Sequence, residues 1–352
     1  MNQRRPLGRR AAHPVSGDAE NRAPGERIPT DDSTTISQMQ GAGTWLESNT
    51  WDRPSWTVDE LVAAKAGRSI SVVLPALNEE QTVAGVIASI APLVGTLVDE
   101  IVVVDSGSTD DTIARAKAAG ARVQTRESVL PYIPVVDGKG EVLWRSLATA
   151  VGDIVVFVDS DLVDPSPDYV PRLVGPLLTD PDVQLVKGYY RRPLLGPGGV
   201  DPTGGGRVTE LSVRPLLAAL LPELAAVIQP LAGEYAATRE LLTSIPFASG
   251  YGVEIAIVID TYRRLGIDAI GQVNLGTRIH RNRDLAELGP MARQIVATML
   301  GRLGIEDCGG PLTQFALDDD GINLRRTYPV LDDRPSMTSV VDSALTVADS
   351  SR

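Results

Sequence analysis

Two aspartates carry the first chemical signal in this sequence. Asp159 and Asp161 stand one residue apart, directly after the apolar run at 154–158, within GDIVVFVDSDLVDP at 152–165. Successive side chains of a strand alternate in direction, so the two carboxylates can point the same way. Carboxylates held together repel unless a cation joins them, and oxygen ligands suit Mg²⁺ or Mn²⁺. The partner this suggests is a metal-bound diphosphate. Taken alone, Asp-Ser-Asp also fits an ordinary surface turn.

Other residues of the right type accompany the pair. His280 is one of only two histidines and sits among Arg278, Arg281 and Arg283. A neutral imidazole can complete a Mg²⁺ or Mn²⁺ site beside a carboxylate. It could equally be a solvated histidine in a basic loop. Lys139 lies between Gly138 and Gly140 at a helix start, which suits an anionic phosphate. The spacing is not that of a Walker A loop, and a solvated loop lysine is the simpler alternative. Arg191, Arg192, Arg207 and Arg278 concentrate positive charge in an acidic chain. Arginine grips phosphate and carboxylate with two parallel hydrogen bonds, so such clusters suggest an anion site. GGGRVT at 204–209 opens a helix, and a helix N-terminus favours anions. A glycine hinge with a salt-bridged arginine is the alternative there.

These residues need elements to hold them. Short Val- and Ile-rich runs at 69–74, 100–104, 121–125 and 154–158 read as buried strands. Between them, residues up to 90, 111–119 and 139–150 read as helices. Strict strand–helix alternation predicts βαβ units and a doubly wound, mostly parallel sheet in an α/β fold. In such sheets ligands bind outside the carboxyl ends of the strands. The segments 75–79, 105–106 and 159–161 should therefore share one rim. Beyond them, strands are expected at 183–190, 234–237 and 268–276, and helices at 207–220, 252–265 and 287–303. Trp45, Trp51 and Trp56 should pack an N-terminal segment against the domain. Residues 1–45 have the composition of a disordered segment. A catalytic domain is expected over 46–312, with a nucleotide half at 46–165 and an acceptor half at 166–312. An extension and loose tail occupy 313–352.

Composition narrows the function. The 352 residues carry a formal net charge of −12 and no long basic run in the body, which argues against a nucleic-acid surface. Hydrophobic residues make up 43% of the chain, enough for a large core. No run reaches the ~18 apolar residues of a membrane span. The single Cys308 excludes an intrachain disulfide and suits a reducing compartment. The basic N-terminus lacks an apolar stretch after it, so no secretory signal is expected. A cytoplasmic protein is the expectation.

The motifs VLPALNE at 73–79, VDSGST at 104–109 and VDSD at 158–161 resemble the GT-A glycosyltransferases. With GKG at 138–140, GGGRVT at 204–209, GYGVE at 250–254 and RIHRN at 278–282, the chain resembles the glucosyl-3-phosphoglycerate synthase family in particular. The similarity runs from about 51 to about 312. The resemblance implies transfer of glucose from UDP-glucose to the 2-hydroxyl of 3-phosphoglycerate, with retention, early in methylglucose lipopolysaccharide synthesis. It implies a Mg²⁺-dependent homodimer, with Mn²⁺ or Co²⁺ able to substitute.

The family's site residues map onto this chain. Pro75, Ala76, Leu77, Asn78, Glu79 and Ser106 would hold the uridine, and Lys139 assists. Asp159 and Ser160 would cover ribose and metal, with Asp161 and His280 as metal ligands. Tyr251, Gly252, Val253 and Glu254 would approach the glucose. Gly206, Arg207, Val208, Thr209, Arg278 and Asn282 would grip the acceptor. Asp161 and Glu254 are the candidate catalytic carboxylates, and Leu231 could turn a backbone carbonyl to the β-face of the sugar. Two rivals stay open. One is a GT-A transferase with another acceptor, such as a polyprenyl phosphate. The other is a non-catalytic nucleotide-sugar sensor.

Overall fold

A computed structural model describes residues 43–196, 199–201, 205–278, 284–318 and 321–340. Residues 43–48 are helical and seat Trp45 in the core, where its Nε1 donates to the carbonyls of Ile267 and Ile270 at 2.9 and 3.2 Å. β1 (Thr50–Trp51) leads to α1 (Val58–Lys65), which Thr57 and Glu60 open with a reciprocal capping box. Trp56 packs tightly over Gly175, and its ring lies 6.2 Å from that of Trp51. All three tryptophans thus tie the N-terminal segment down.

Strand and helix then alternate as the apolar runs require. β2 (Ile70–Ala76), α2 (Val83–Ile90), β3 (Glu100–Asp105) and α3 (Thr112–Ala118) come first. β4 (Arg122–Thr125), α4 (Lys139–Ser146) and β5 (Ile154–Phe157) follow. Next is α5 (Tyr169–Thr179), a helix that pattern reading leaves unassigned because it contains Pro171 and Pro176. Pro171 falls in the first turn, where the missing N–H would have no helical partner anyway. β6 (Leu185–Arg191) leads to a small hairpin, β7 (Leu194–Gly196) and β8 (Gly199–Asp201), inside a stretch that reads as loop. A π-type turn over Thr209–Val213 runs into α6 (Arg214–Leu220). β9 (Tyr235–Thr238), α7 (Arg239–Ser244), β10 (Phe247–Ala248) and α8 (Val253–Leu265) come next. β11 (Ile270–Thr277) and α9 (Leu285–Arg302) complete the main body.

Eight strands form one sheet in the order β1-β11-β6-β9-β5-β2-β3-β4. Every neighbouring pair is parallel except β9, which runs antiparallel to both β5 and β6. Alternate side chains feed two cores. Val73, Val102, Val155 and Phe157 face one, while Val72, Val103, Ile154 and Val156 face the other. Both faces are covered, which is the doubly wound arrangement, and the carboxyl ends of β2, β3 and β5 open on one rim.

The end of the chain departs from expectation. β12 (Leu312–Asp318) and β13 (Gly321–Thr327) form an antiparallel hairpin. The tail expected to be loose after Asp332 is docked as far as it is described. β14 (Asp333–Arg334) pairs with β10, and Met337 is buried in the core. A two-residue strand and one apolar residue among Ser and Thr leave no periodic trace. Disorder is expected over 1–45, but residues 43–45 are helical because burial of Trp45 holds them to the core; residues 1–42 and the tail beyond 340 lie outside the described residues.

Candidate active site

The three strand ends meet in one cavity of about 780 Å³. Pro75, Ala76, Leu77 and Glu79 line it from the end of β2, Ser106 and Gly107 from β3, and Asp159, Ser160 and Asp161 from beyond β5. Ser160 Oγ donates to the Pro75 carbonyl at 2.6 Å, which ties the two rims together. Asn78 has a left-handed backbone (φ 56°) and caps the neighbouring turn: its Oδ1 accepts from Thr109 N at 2.9 Å. Asp105 organises the same turn, its Oδ2 accepting from the N–H groups of Gly107 and Ser108, both at 2.9 Å. Asp105 Oδ1 is buried and unpaired.

The opposite wall comes from the second half. Gly206, with φ 77°, sits in the left-handed region that glycine accepts readily, and it leads Arg207, Val208 and Thr209 along the cavity. The following π-type turn is a geometry found often at functional sites. Leu231, Gly233, Tyr251 and Glu254 also line the space, as do Leu288, Met291, Gln294 and Ile295 on one face of α9.

Charge runs through the middle as an alternating chain. Lys139 Nζ lies 2.8 Å from Glu254 Oε1 and 2.6 Å from Asp159 Oδ1. Arg278 Nη2 lies 3.1 Å from Asp159 Oδ2 and 2.8 Å from Asp161 Oδ1. Its Nη1 is 3.0 Å from Glu234 and donates to the Tyr190 hydroxyl at 2.8 Å. That hydroxyl donates to Glu234 Oε2 at 2.7 Å and accepts from Arg192 at 2.6 Å. Burial works against the charge on Asp159, but Lys139 and Arg278 overcome it and hold its carboxyl far below the usual range. Burial pushes Glu234 up, with Arg278 opposing, and burial together with the Asp161 charge raises Glu79. Lys187, buried beneath the site, donates to the Ala232 carbonyl at 2.6 Å and lies 4.4 Å from the centre of the Tyr235 ring. Burial pushes its pKa down to about 7.

The acids fit a hard divalent cation. One guanidinium nitrogen already touches both Asp159 and Asp161, so a single cationic centre can contact the pair. The Asp161 side chain keeps 45% of its surface exposed, leaving room for a diphosphate. Among the described residues no cluster of three potential metal-ligating side chains occurs. His280, the expected second protein ligand, and Asn282 lie outside the described residues.

Most of the residues singled out from sequence are brought together here. Three are not: Asn78 shapes its turn, while Gly252 and Val253 are buried beneath Tyr251 and do not line the cavity. Arg278 lines the cavity, yet its guanidinium lies against Asp159, Asp161 and Glu234. Sequence reading misses Glu234, Tyr190 and Lys187, which are buried in or next to strands. The helix expected at 287–303 is present as α9, but sequence reading misses that it lines the cavity, although Leu288, Met291 and Ile295 recur at helical spacing and could have been found.

A mostly parallel sheet with paired acids at its carboxyl rim, facing a cleft with a nucleotide wall and an anion wall, defines a nucleotide-sugar-dependent glycosyltransferase of the GT-A kind. Residues 71–197 match the model of glycosyl transferase family 2. The glucosyl-3-phosphoglycerate synthase of Mycolicibacterium smegmatis is 63% identical over 296 residues, 84% of this chain and 98% of that protein. The same enzyme of Mycobacterium tuberculosis is 61% identical over 334 residues, 93% of this chain and 98% of that protein. The chain belongs to the glucosyl-3-phosphoglycerate synthase family. A solved M. tuberculosis structure holding Mn²⁺, UDP-glucose and phosphoglyceric acid superposes with a TM-score of 0.77 at 62% identity, covering 83% of this chain and 98% of that one. Another, with Mn²⁺, UDP and glucosyl-3-phosphoglycerate, gives 0.77 at 62% identity, covering 83% and 99%.

Proposed function

We propose that this protein transfers glucose from UDP-glucose to the 2-hydroxyl of 3-phosphoglycerate, releasing UDP, with Mg²⁺ or Mn²⁺ as cofactor. One observation carries the reading: a single cavity joins the 75–79 and 105–107 rim to the Gly206–Arg207 wall, with Asp159 and Asp161 between them. The uridine falls to the first rim and the anionic acceptor to Arg207 and its neighbours. Arginines fixed at the acceptor's phosphate and carboxylate contribute mainly by orientation, which can supply much of a rate enhancement. Asp161 and His280 would hold the ion, whose chemistry there is Lewis-acid neutralisation of the leaving diphosphate.

Retention is part of the proposal. Glu254 is tied to Lys139, which suits a hydroxyl acceptor better than a nucleophile. Leu231 lines the cavity beside the Ala232 carbonyl that Lys187 anchors, so its own carbonyl is the group we place at the β-face of the sugar. A front-face route through an ion pair is the mechanism this arrangement supports. No helix among the described residues is long and apolar enough to cross a membrane. The exposed free thiol of Cys308 supports action in the reducing cytoplasm. Assembly as a homodimer and service to methylglucose lipopolysaccharide synthesis complete the proposal on the strength of family membership. The test is direct: protein, Mg²⁺, UDP-glucose and 3-phosphoglycerate are incubated, and the product is identified by mass and its anomeric configuration by NMR. An α-linked glucosyl-3-phosphoglycerate is expected; a β-linked product would remove retention, and none would remove the activity.

A further inference from the structure

The segment after Asp332 carries no motif of the reaction, yet it packs behind the active site. β14 pairs antiparallel with β10, Arg334 opposite Phe247 and Asp333 opposite Ala248. β10 runs straight into the 249–252 turn and the start of α8, which present Tyr251 and Glu254. Ser249 Oγ donates to the Asp332 carbonyl. Arg334 then crosses to α4. Its Nη2 donates to Glu141 Oε1 at 2.8 Å, its Nε donates to Oε2, and its guanidinium lies 5.2 Å from the Trp144 ring centre. Trp144 Nε1 donates to the Pro335 carbonyl at 2.8 Å.

Glu141 is fully buried and lies two residues after Lys139. The start of α4 is pressed onto β10: a Cβ at Gly140 would fall 2.9 Å from the Ala248 carbonyl carbon and 3.0 Å from that of Ser249. Tail, β10 and the first turn of α4 therefore form one packed layer. At its front edge stand Lys139 and Glu254, 2.8 Å apart, and Lys139 passes the contact on to Asp159.

We infer that Arg334 is a positioning residue for the transfer reaction: it clamps the start of α4 to β10 and so sets Lys139 between Glu254 and Asp159. The inference rests on the proposed function, because it takes Lys139 to serve the donor. Removing Arg334 leaves Glu141 its other partner, Arg145 Nε at 2.6 Å, so the buried carboxylate is not orphaned and Arg334→Gln is expected to fold.

A double-mutant cycle tests it. kcat/KM for UDP-glucose is measured for wild type, Arg334→Gln, Lys139→Met and the double variant, with thermal unfolding on the same samples. Arg334→Gln should lower kcat/KM by roughly tenfold, well inside the ~10²-fold that a 1 Å misplacement can cost. In the Lys139→Met background the same change should cost almost nothing, because its effect runs through Lys139. Arg334→Lys should recover part of the loss, since a point charge keeps one arm of the fork. If Arg334→Gln is unfolded at the assay temperature, the same cycle on Arg334→Lys decides. Additive effects, or wild-type kinetics in a folded Arg334→Gln, overturn the inference while an active wild type leaves the function standing. A wild type inert toward this substrate pair overturns the function and the inference with it.

Discussion

Gly233→Ala probes the middle of the charge chain through one methyl group. Gly233 is buried, and its backbone lies outside the left-handed region, so alanine brings no backbone strain. The new Cβ would stand 2.6 Å from Asp159 Oδ1 and 2.7 Å from its Cγ. Ordinary contact begins near ~3.5 Å, so the carboxylate must withdraw by roughly 1 Å. It has nowhere easy to go, being held by Lys139 at 2.6 Å and Arg278 at 3.1 Å. Each of these charge-assisted bonds contributes about 1.5–3 kcal/mol, and a 1 Å shift weakens both. A displacement of that size in a reacting site can cost ~10²-fold in rate. The expected result is a fall in kcat/KM of about that size, with the fold retained in far-UV circular dichroism. UDP-glucose affinity, measured by calorimetry, should fall as well, because Asp159 stands on the donor side. Wild-type kcat/KM in Gly233→Ala would refute the claim that Asp159 must be held where it is.

Further predictions follow from the same geometry. Asp161→Ala should abolish turnover, and EDTA should silence the wild type until Mg²⁺ or Mn²⁺ is restored; full activity in EDTA contradicts the metal assignment. Arg207→Ala should weaken kcat/KM for the acceptor by at least about tenfold, since losing one partner of a desolvated charge pair costs ~2–5 kcal/mol. Donor affinity without acceptor should stay nearly constant, and the opposite pattern would mean that the two walls are exchanged. Lys187 gives a pH signature. Folding releases its proton above about 7, whereas an unfolded lysine keeps it to ~10.4. The unfolded state therefore binds more protons in that window, and Lys187 makes stability rise with pH from 7 upward. In denaturant titrations at pH 7 to 9, Lys187→Met should remove that rise; an unchanged slope would show that the lysine is not desolvated.

Much of this architecture is legible in the sequence because buried parallel strands are written as unbroken apolar runs. Ile154 to Phe157 is such a run, and its end at Asp159 and Asp161 points at the rim where ligands bind. The turn residues after β2 and β3 read equally well, since Asp, Ser and Asn in those places have one structural use. Sheet order is not written there. β11 lies three places from β5 in the sheet, with β6 and β9 between them, and nothing local announces that Arg278 will reach across to Asp159. Glu234 and Lys187 escape for a related reason: a buried charged residue in or beside a strand has no period of its own, and only its partners explain it. α5 is hidden by its prolines, and the docking of β14 by its length of two residues.

The central claim is acceptor-dependent glucosyl transfer, and the rate of UDP release tests it most directly. UDP-glucose and Mg²⁺ are held saturating while 3-phosphoglycerate is added, omitted, or replaced by glycerol 3-phosphate, which lacks the carboxylate. UDP should appear rapidly with 3-phosphoglycerate, slower with glycerol 3-phosphate, and barely at all without acceptor. Release at one rate in all three mixtures would contradict the account, because the Arg207 wall would then be irrelevant to turnover.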